Sequence, residues 1–168
     1  MIYQLVSQTD SILKLVQPKF NFDNSIINPI ELYNNLAETM IAHNGLGLAA
    51  PQCGLPYRTF CMRSENIIGV FNPIIVDKSK EEIYLEEGCL SCPNLFVKIK
   101  RPKKIKVRYT LPNGEVITAV YDGMTARVFQ HELDHLDGII HTQRATRYHL
   151  EQAYSRKKKL NRIHSKRS

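Results

Sequence analysis

Residues 131–135 read His-Glu-Leu-Asp-His and lie within the segment DGMTARVFQHELDHLDG, residues 122–138, which decides the fold. In a helix, positions four apart lie on one face, so His131 and His135 can direct their imidazoles at one point. Two neutral imidazoles suit a divalent transition metal, and Glu132 lies beside them, where it can reach a water on that metal. The spacing therefore predicts two metal ligands and a candidate general base.

The same segment predicts where its helix lies in the fold. We expect the helix to begin after Asp122 and to end at Gly138. Its apolar residues are spread around the helix axis: Met124, Val128, Phe129, Leu133 and Leu136. A helix that is apolar on several sides is buried on several sides. The sequence therefore predicts an α+β fold, with antiparallel β-sheets wrapped around a central helix that carries HExxH.

An N-terminal helix is predicted from its capping residues. Asn28 is a suitable N-cap, Pro29 suits the first helical position, and Glu31 follows three residues after the cap. Apolar residues at helical spacing come next, and Gly45 marks the end.

Strands are predicted between the two helices. Residues 57–62 and 67–76 are rich in strand-forming residues, and Pro73 indicates that the second strand is bulged or lies at an edge. Residues 104–110 and 115–121 flank a Leu-Pro-Asn-Gly turn, which predicts a β-hairpin.

Length and composition indicate an ordinary globular chain. The 168 residues, 43% hydrophobic and 23% charged, are enough for a domain with a buried core. We expect the protein to be a monomer. No apolar run approaches the roughly 18 residues that would span a bilayer, and the N-terminus does not resemble a secretion signal. We therefore expect no membrane contact and a cytoplasmic location, which would be the host cytoplasm if a virus encodes the chain. Because disulfides are rare in that compartment, we expect the four cysteines to be free or metal-bound.

The net charge of +7 is concentrated at the C-terminus. Residues 141–168 contain nine Lys or Arg against one acid, whereas residues 1–140 contain 14 basic and 15 acidic residues. We therefore predict a catalytic domain over 1–143 and a basic C-terminal helix or tail over 144–168. Such a tail suits RNA phosphates, but a solubilising and partly disordered tail has the same composition.

Two histidines leave the metal short of a third protein ligand, and two candidates follow from the sequence. His141 completes the pattern HExxHxxGxxH of metzincin proteases, although the Met-turn of that class is missing because all four Met residues precede the motif. Cys89 is the other candidate. With Cys92 it forms a CxxC, which is also typical of a redox pair or of a closed structural zinc site.

A third segment, residues 45–52, reads GLGLAAPQ. Small residues let the backbone approach a ligand closely, and Gln52 can donate an amide N–H to an oxygen, although tight loop packing explains the same glycines. Together with Glu87-Gly88-Cys89-Leu90-Ser91 and the HExxH segment, this stretch resembles, in order and spacing, the three signature motifs of peptide deformylases. The similarity extends over roughly residues 1–140.

This resemblance implies a metal-dependent hydrolase that removes the formyl group from the N-terminal formylmethionine of nascent polypeptides and releases formate. It implies one divalent ion bound by Cys89, His131 and His135, with Fe(II) as the metal in the cell and Zn, Ni or Co in purified protein. Glu132 would move the proton from water to the departing amine, while the side-chain amide of Gln52 and the backbone N–H of Leu90 would stabilise the oxyanion.

The resemblance also implies which residues contact the formyl-methionyl peptide: Gly45, Leu46, Gly47, Gly88, Val128 and Arg101. Arg101 is included because Phe96 occupies a position where some bacterial members have an arginine that holds the peptide. The alternative is that the affinity for the peptide backbone differs in this chain. Cys92 occupies a position where family members commonly have an aliphatic residue. It could fill core volume, or it could form a disulfide with Cys89 under oxidation. The basic C-terminal helix of family members touches the ribosome, which we expect of residues 144–168 also.

Two rival classes remain at this point. A zincin-type endopeptidase would cleave internal bonds of unformylated peptides, and a non-catalytic zinc or redox module would cleave nothing.

Overall fold

A computed structural model describes residues 1–164 of the chain and shows two β-sheets and three α-helices. The helices are α1 (Pro29–Ala42), α2 (Gly123–Leu136) and α3 (Arg147–His164). The strands are β1 (Gly47–Ala49), β2 (Thr59–Arg63), β3 (Ile67–Lys78), β4 (Glu82–Cys89), β5 (Cys92–Pro102), β6 (Lys104–Thr110) and β7 (Val116–Asp122). Short 3-10 helices lie at Ser11–Lys14, Ala50–Cys53 and His141–Arg144.

The N-terminal helix begins as its capping residues predicted. The side chain of Asn28 accepts hydrogen bonds from the backbone N–H groups of Ile30 and Glu31, and Pro29 occupies the first helical position. These bonds satisfy N–H groups that have no partner within the helix. The buried face of α1 includes Leu32, Leu36 and Met40, which pack in a core cluster with Leu48 of β1 and Phe71 of β3.

Five antiparallel strands form the larger sheet, in the order β1-β2-β3-β6-β7. The predicted strands at 57–62 and 67–76 correspond to β2 and β3, and the predicted hairpin corresponds to β6 and β7. The register of β3 against β6 shifts between Phe71 and Ile74, where Pro73 lies. A proline has no N–H for the ladder, so the strand bulges at this point although it lies in the middle of the sheet.

Sequence reasoning missed the second sheet, a hairpin of β4 and β5. In β5 the buried residues Val97, Ile99 and Arg101 alternate with exposed Lys98 and Lys100, which is the pattern of a strand with one covered face. This alternation was readable in the sequence.

Helix α2 is central, as predicted. Every residue from Ala126 to Leu136 is buried, and the helix packs against β1, β2, β6 and β7 of the larger sheet. Phe129 meets Phe60 of β2 edge to face, with ring centroids 5.2 Å apart. The chain leaves the helix through Gly138, whose φ of +71° is a conformation that glycine adopts without strain. The predicted α+β architecture is confirmed.

The basic C-terminal segment forms α3, which packs against β5. Ala153 is buried in a cluster with Cys92, Leu95 and Val97, so α3 covers the hairpin. The division of the chain at residue 143 stays a prediction, and Lys166 and Arg167 of the basic segment lie outside the described residues. Within residues 1–164, the helices lack the combination of length and apolar character that a membrane span requires.

Candidate metal centre

The three predicted metal ligands come together although they arise from distant parts of the chain. Cys89 ends β4, whereas His131 and His135 lie one turn apart on α2. One ligand atom from each of the three side chains lies within 4.8 Å of the other two, and Cys89 Sγ is 3.3 Å from His135 Nε2. Thiolate and imidazole are the donors that Zn²⁺ and similar ions prefer, so the residues present fit a transition metal. His141 is not part of this group.

Glu87 determines how His131 is oriented. One Glu87 carboxylate oxygen lies 2.9 Å from His131 Nδ1, which leaves Nε2 of the same ring for a metal. Burial would raise the pKa of Glu87, but hydrogen bonds from Arg101 and His131 outweigh it and hold the pKa well below its usual range. Glu87 is therefore a buried carboxylate that remains ionised.

A buried ion network extends from Glu87 along α2. Arg101 donates to Glu87 at 2.6 and 2.9 Å and to Asp134 at 2.6 Å, and Arg127 donates to Glu87 at 2.9 Å. Arg144 completes the network by donating to Asp134. These bonds join β4 and β5 to α2, so they fix the hairpin that carries Cys89 relative to the helix that carries the two histidines.

The position of Arg101 corrects one prediction. We expected Arg101 to contact the peptide, but its side chain is only 6% exposed, is committed to Glu87 and Asp134, and does not line the adjacent cavity. A guanidinium buried with two carboxylates leaves that arrangement only at a large cost. Arg127, on α2, is also buried and forms a salt bridge with Glu87.

Glu132 lies at the inner wall of the cavity next to the ligand cluster. Burial raises its pKa to about 7, with Glu87 contributing and His131 opposing. Its Oε2 atom has no hydrogen-bond partner among the described residues. A carboxylate with this pKa and a free oxygen can accept and release a proton near neutral pH.

Gly47 makes room for that carboxylate. A Cβ at Gly47 would lie 2.7 Å from Glu132 Cδ and still closer to Oε1. Gly45 is similarly restricted, because a Cβ there would lie 2.9 Å from Cδ1 of Leu90. The loop glycines therefore have a packing role here, which the sequence left open as an alternative to ligand contact.

Gln52 is oriented by three hydrogen bonds. Its Oε1 accepts from the backbone N–H of Ala49, and its Nε2 donates to Ser91 Oγ at 3.1 Å and approaches Cys89 Sγ at 3.5 Å. Because the side chain is 1% exposed, its amide is held in one orientation beside the ligand cluster.

A cavity of about 540 Å³ opens onto this cluster. Its lining includes the catalytic candidates Gln52, Leu90 and Glu132, and five of the six residues predicted to bind substrate: Gly45, Leu46, Gly47, Gly88 and Val128. The half-exposed side chains of Leu46, Phe96 and Met124 give the cavity an apolar rim. An apolar cavity with a few directed polar groups is typical of a small-ligand site.

The pKa values of His135 and Cys89 show how the surroundings affect two of the candidate ligands. Burial, reinforced by the neighbouring His131, lowers the pKa of His135 well below its usual range, so this imidazole is neutral and its lone pair is available. The hydrogen bond with Cys92 and burial raise the pKa of the Cys89 thiol. A bound cation favours the thiolate and would oppose that shift.

The chain matches a protein-family model described as polypeptide deformylase over residues 2–151. It is 43% identical to a peptide deformylase of Thermotoga petrophila over 141 residues, which cover 83% of this chain and 84% of that protein. The crystal structure of peptide deformylase from Thermotoga maritima superposes with a TM-score of 0.81 at 38% identity, covering 87% of this chain and 99% of that one. A peptide deformylase from Legionella pneumophila gives a TM-score of 0.84 at 26% identity, covering 98% of both chains.

Proposed function

Since this chain belongs to the peptide deformylase family, metal-dependent hydrolases that remove the N-formyl group from nascent polypeptides, we propose that Cys89, His131 and His135 bind its metal ion. The observation that carries this assignment is the meeting of one sulfur and two nitrogens, within 4.8 Å of one another, at the inner end of an apolar cavity. The bound ion would supply an activated water and polarise the formyl carbonyl.

We propose Fe(II) as the metal in the cell. A site with one thiolate and two imidazoles accepts several divalent ions, and their relative abundance influences which one is bound. Because a thiolate site is sensitive to oxidation, protein purified in air would carry Zn, Ni or Co instead.

Glu132 is the residue that moves the proton. Its buried carboxylate lies beside His131 and His135 on the same helix and has one unpartnered oxygen. It would accept a proton from the attacking water and pass it to the departing amine, which leaves as the free N-terminus of the peptide. The same group therefore acts first as base and then as acid.

Gln52 and Leu90 stabilise the charge that develops on the formyl oxygen. The Gln52 Nε2 group is held beside Cys89, and Leu90 follows Cys89 in the chain, so both line the cavity next to the ligand cluster. Donors that are fixed before the reaction stabilise an oxyanion without reorganisation.

The substrate would lie in the cavity with its methionine side chain against apolar residues. Val128 and Leu46 supply apolar surface, while Gly45, Gly47 and Gly88 let the peptide approach the backbone. Because one methylene changes binding in such a pocket by only about 1–3 kcal/mol, we expect norleucine to be accepted in place of methionine.

The assignment is tested with anaerobically purified protein and the substrate formyl-Met-Ala-Ser, measuring both new amine and released formate. We expect Glu132→Gln to lose turnover while retaining its metal, and Cys89→Ala to lose both. Glu115→Gln, at an exposed position between the turn at 111–114 and β7, is the matched control and should behave as wild type. Full turnover by Glu132→Gln or full metal content in Cys89→Ala would overturn the assignment, and cleavage of an unformylated peptide would indicate an endopeptidase.

We also propose that the chain acts as a monomer in the cytoplasm and that α3 contacts ribosomal RNA. Lys158 and Lys159 are exposed on α3, in the most basic part of the chain. Binding to phosphates releases counterions from the RNA. This release becomes less favourable as the salt concentration rises, so phosphate contacts weaken. Charge reversal of both lysines to Glu should weaken salt-dependent ribosome binding and spare peptide turnover, whereas Lys19→Glu, far along the sequence, should change neither. Unchanged binding by the double variant would refute the contact.

A further inference from the structure

His141 is a buried imidazole with at most one hydrogen-bond partner. It lies in the short 3-10 helix His141–Arg144 and is 1% exposed. The backbone of Leu95 is close enough to oppose the lowering of the His141 pKa by burial, which leaves at least one ring nitrogen without a partner among residues 1–164. Leaving a polar group buried and unpaired costs about 1–3 kcal/mol, so such a group calls for an explanation. The reaction proposed above makes no use of His141.

Cys92 is a further candidate metal ligand close to His141. It begins β5 directly opposite Cys89 in the register of the hairpin, is 4% exposed, and is a free thiol. Cys92 packs with Leu95 and Ala153 beneath α3. It therefore fills core volume, which was one of its two predicted roles. Packing uses only the volume of this side chain, whereas its sulfur also makes the hydrogen bond with Cys89.

These two residues and Cys89 form a second ligand cluster. One ligand atom from each of Cys89, Cys92 and His141 lies within 4.8 Å of the other two. The ring of His141 also lies beside that of His131, with centroids 5.7 Å apart, so the two clusters are adjacent and share Cys89. Donors of a tetrahedral zinc site are typically separated by about 3.3–4 Å, which small side-chain rotations would achieve here.

We propose that Cys92 and His141 bind a second soft divalent cation, for which the Cys89 thiolate is the third ligand, shared with the first metal site. Two sulfurs and one imidazole are the donor set that selects Zn²⁺ and its analogues over Mg²⁺ or Ca²⁺. Three protein ligands leave a fourth position for a solvent ligand. The inference goes beyond the proposed reaction and depends on it only for the sharing of Cys89.

The second cation has a structural consequence. It would connect the tip of the β4–β5 hairpin, through Cys89 and Cys92, to the segment that follows α2, through His141. The hairpin carries one ligand of the first site and α2 carries the other two, so a cation there would tie together the two elements on which that site depends.

The test is a titration of the full-length protein with Co²⁺ under anaerobic conditions, followed by dialysis and metal analysis. We expect two ions per chain in the wild type and one in Cys92→Val and His141→Phe, with the loss of part of the thiolate-to-cobalt charge-transfer absorption. Cys61→Ala is the matched control, since Cys61 is a buried free thiol in a different core cluster, and it should bind two ions. His141→Gln replaces His141→Phe if the latter does not fold.

One ion per chain in the wild type, or two in both site variants, would overturn the second site. Failure of the proposed reaction is distinguished by His135→Ala, which should lose turnover and the first ion while keeping the second. If His135→Ala keeps full turnover, the first assignment is wrong, whether or not Cys92→Val loses an ion.

Discussion

Glu87→Gln tests how much the buried ion network contributes to the fold. The side chains of Glu87, Arg101 and Arg127 are 3%, 6% and 3% exposed, and the carboxylate of Glu87 accepts three hydrogen bonds from the two guanidinium groups. Glutamine keeps the volume but removes the charge. Arg127 then has only the backbone carbonyls of Ile83 and Ile99 as described hydrogen-bond acceptors, and no carboxylate.

Removing one partner from a buried ion pair typically costs about 3–5 kcal/mol, because the remaining charge is left uncompensated away from water. For a domain of this size, that loss corresponds to a decrease in Tm of about 6–20 °C. The measurement is urea and thermal unfolding of the wild type and Glu87→Gln. Combining Glu87→Gln with Arg127→Met should cost less than the two single losses together, since the second change removes the uncompensated charge.

Glu86→Gln is the matched control for this experiment. Glu86 is the next residue along β4, but its partner Arg156 and its own side chain are each 51% exposed. Exposed pairs typically contribute about 0.2–1 kcal/mol, because water solvates both charges after the pair is broken. If Glu87→Gln destabilises the protein no more than Glu86→Gln does, the reasoning from burial is refuted.

Three further predictions follow from the packing. Gly47→Ala should reduce kcat at least about 100-fold with unchanged metal content, because the new methyl group displaces Glu132; activity within twofold of wild type would contradict this. Leu36→Ala should lower the free energy of unfolding, measured in urea, by about 2–5 kcal/mol, since Leu36 is fully buried. A loss below about 1 kcal/mol would contradict this and show that the neighbouring core residues close around the smaller side chain. Burial raises the pKa of Cys53 to about 12, so iodoacetamide at pH 8 should label it about 1,000-fold more slowly than in urea, and faster as pH rises; equal rates by mass spectrometry would disprove the shift.

The elements predicted from the sequence were those that local interactions specify. Asn28 caps α1 through bonds to the next few residues, and the turn at 111–114 joins β6 to β7, so both follow from neighbouring residues. The apolar residues on several sides of α2 likewise predicted that this helix is buried. The pair His131 and His135 was predicted from helical spacing alone.

Contacts between distant residues were decided only by the tertiary structure. Arg101 alternates with exposed lysines in β5, and the sequence contains no sign that Glu87 and Asp134 would surround it. We therefore predicted that Arg101 contacts the peptide. The free energy of a buried guanidinium, however, depends on which carboxylates the fold places beside it.

The sequence by itself determined the α+β class, the family resemblance and the placing of His131 and His135 on one face of a helix, because helical periodicity and short motifs are local properties of the chain. The tertiary structure decided that Cys89 reaches His135 across 46 positions, that Glu87 orients His131, and that Cys92 lies beside His141. These outcomes depend on how β4 and β5 pack against α2 and α3, and long-range packing is set by the whole core rather than by any one segment.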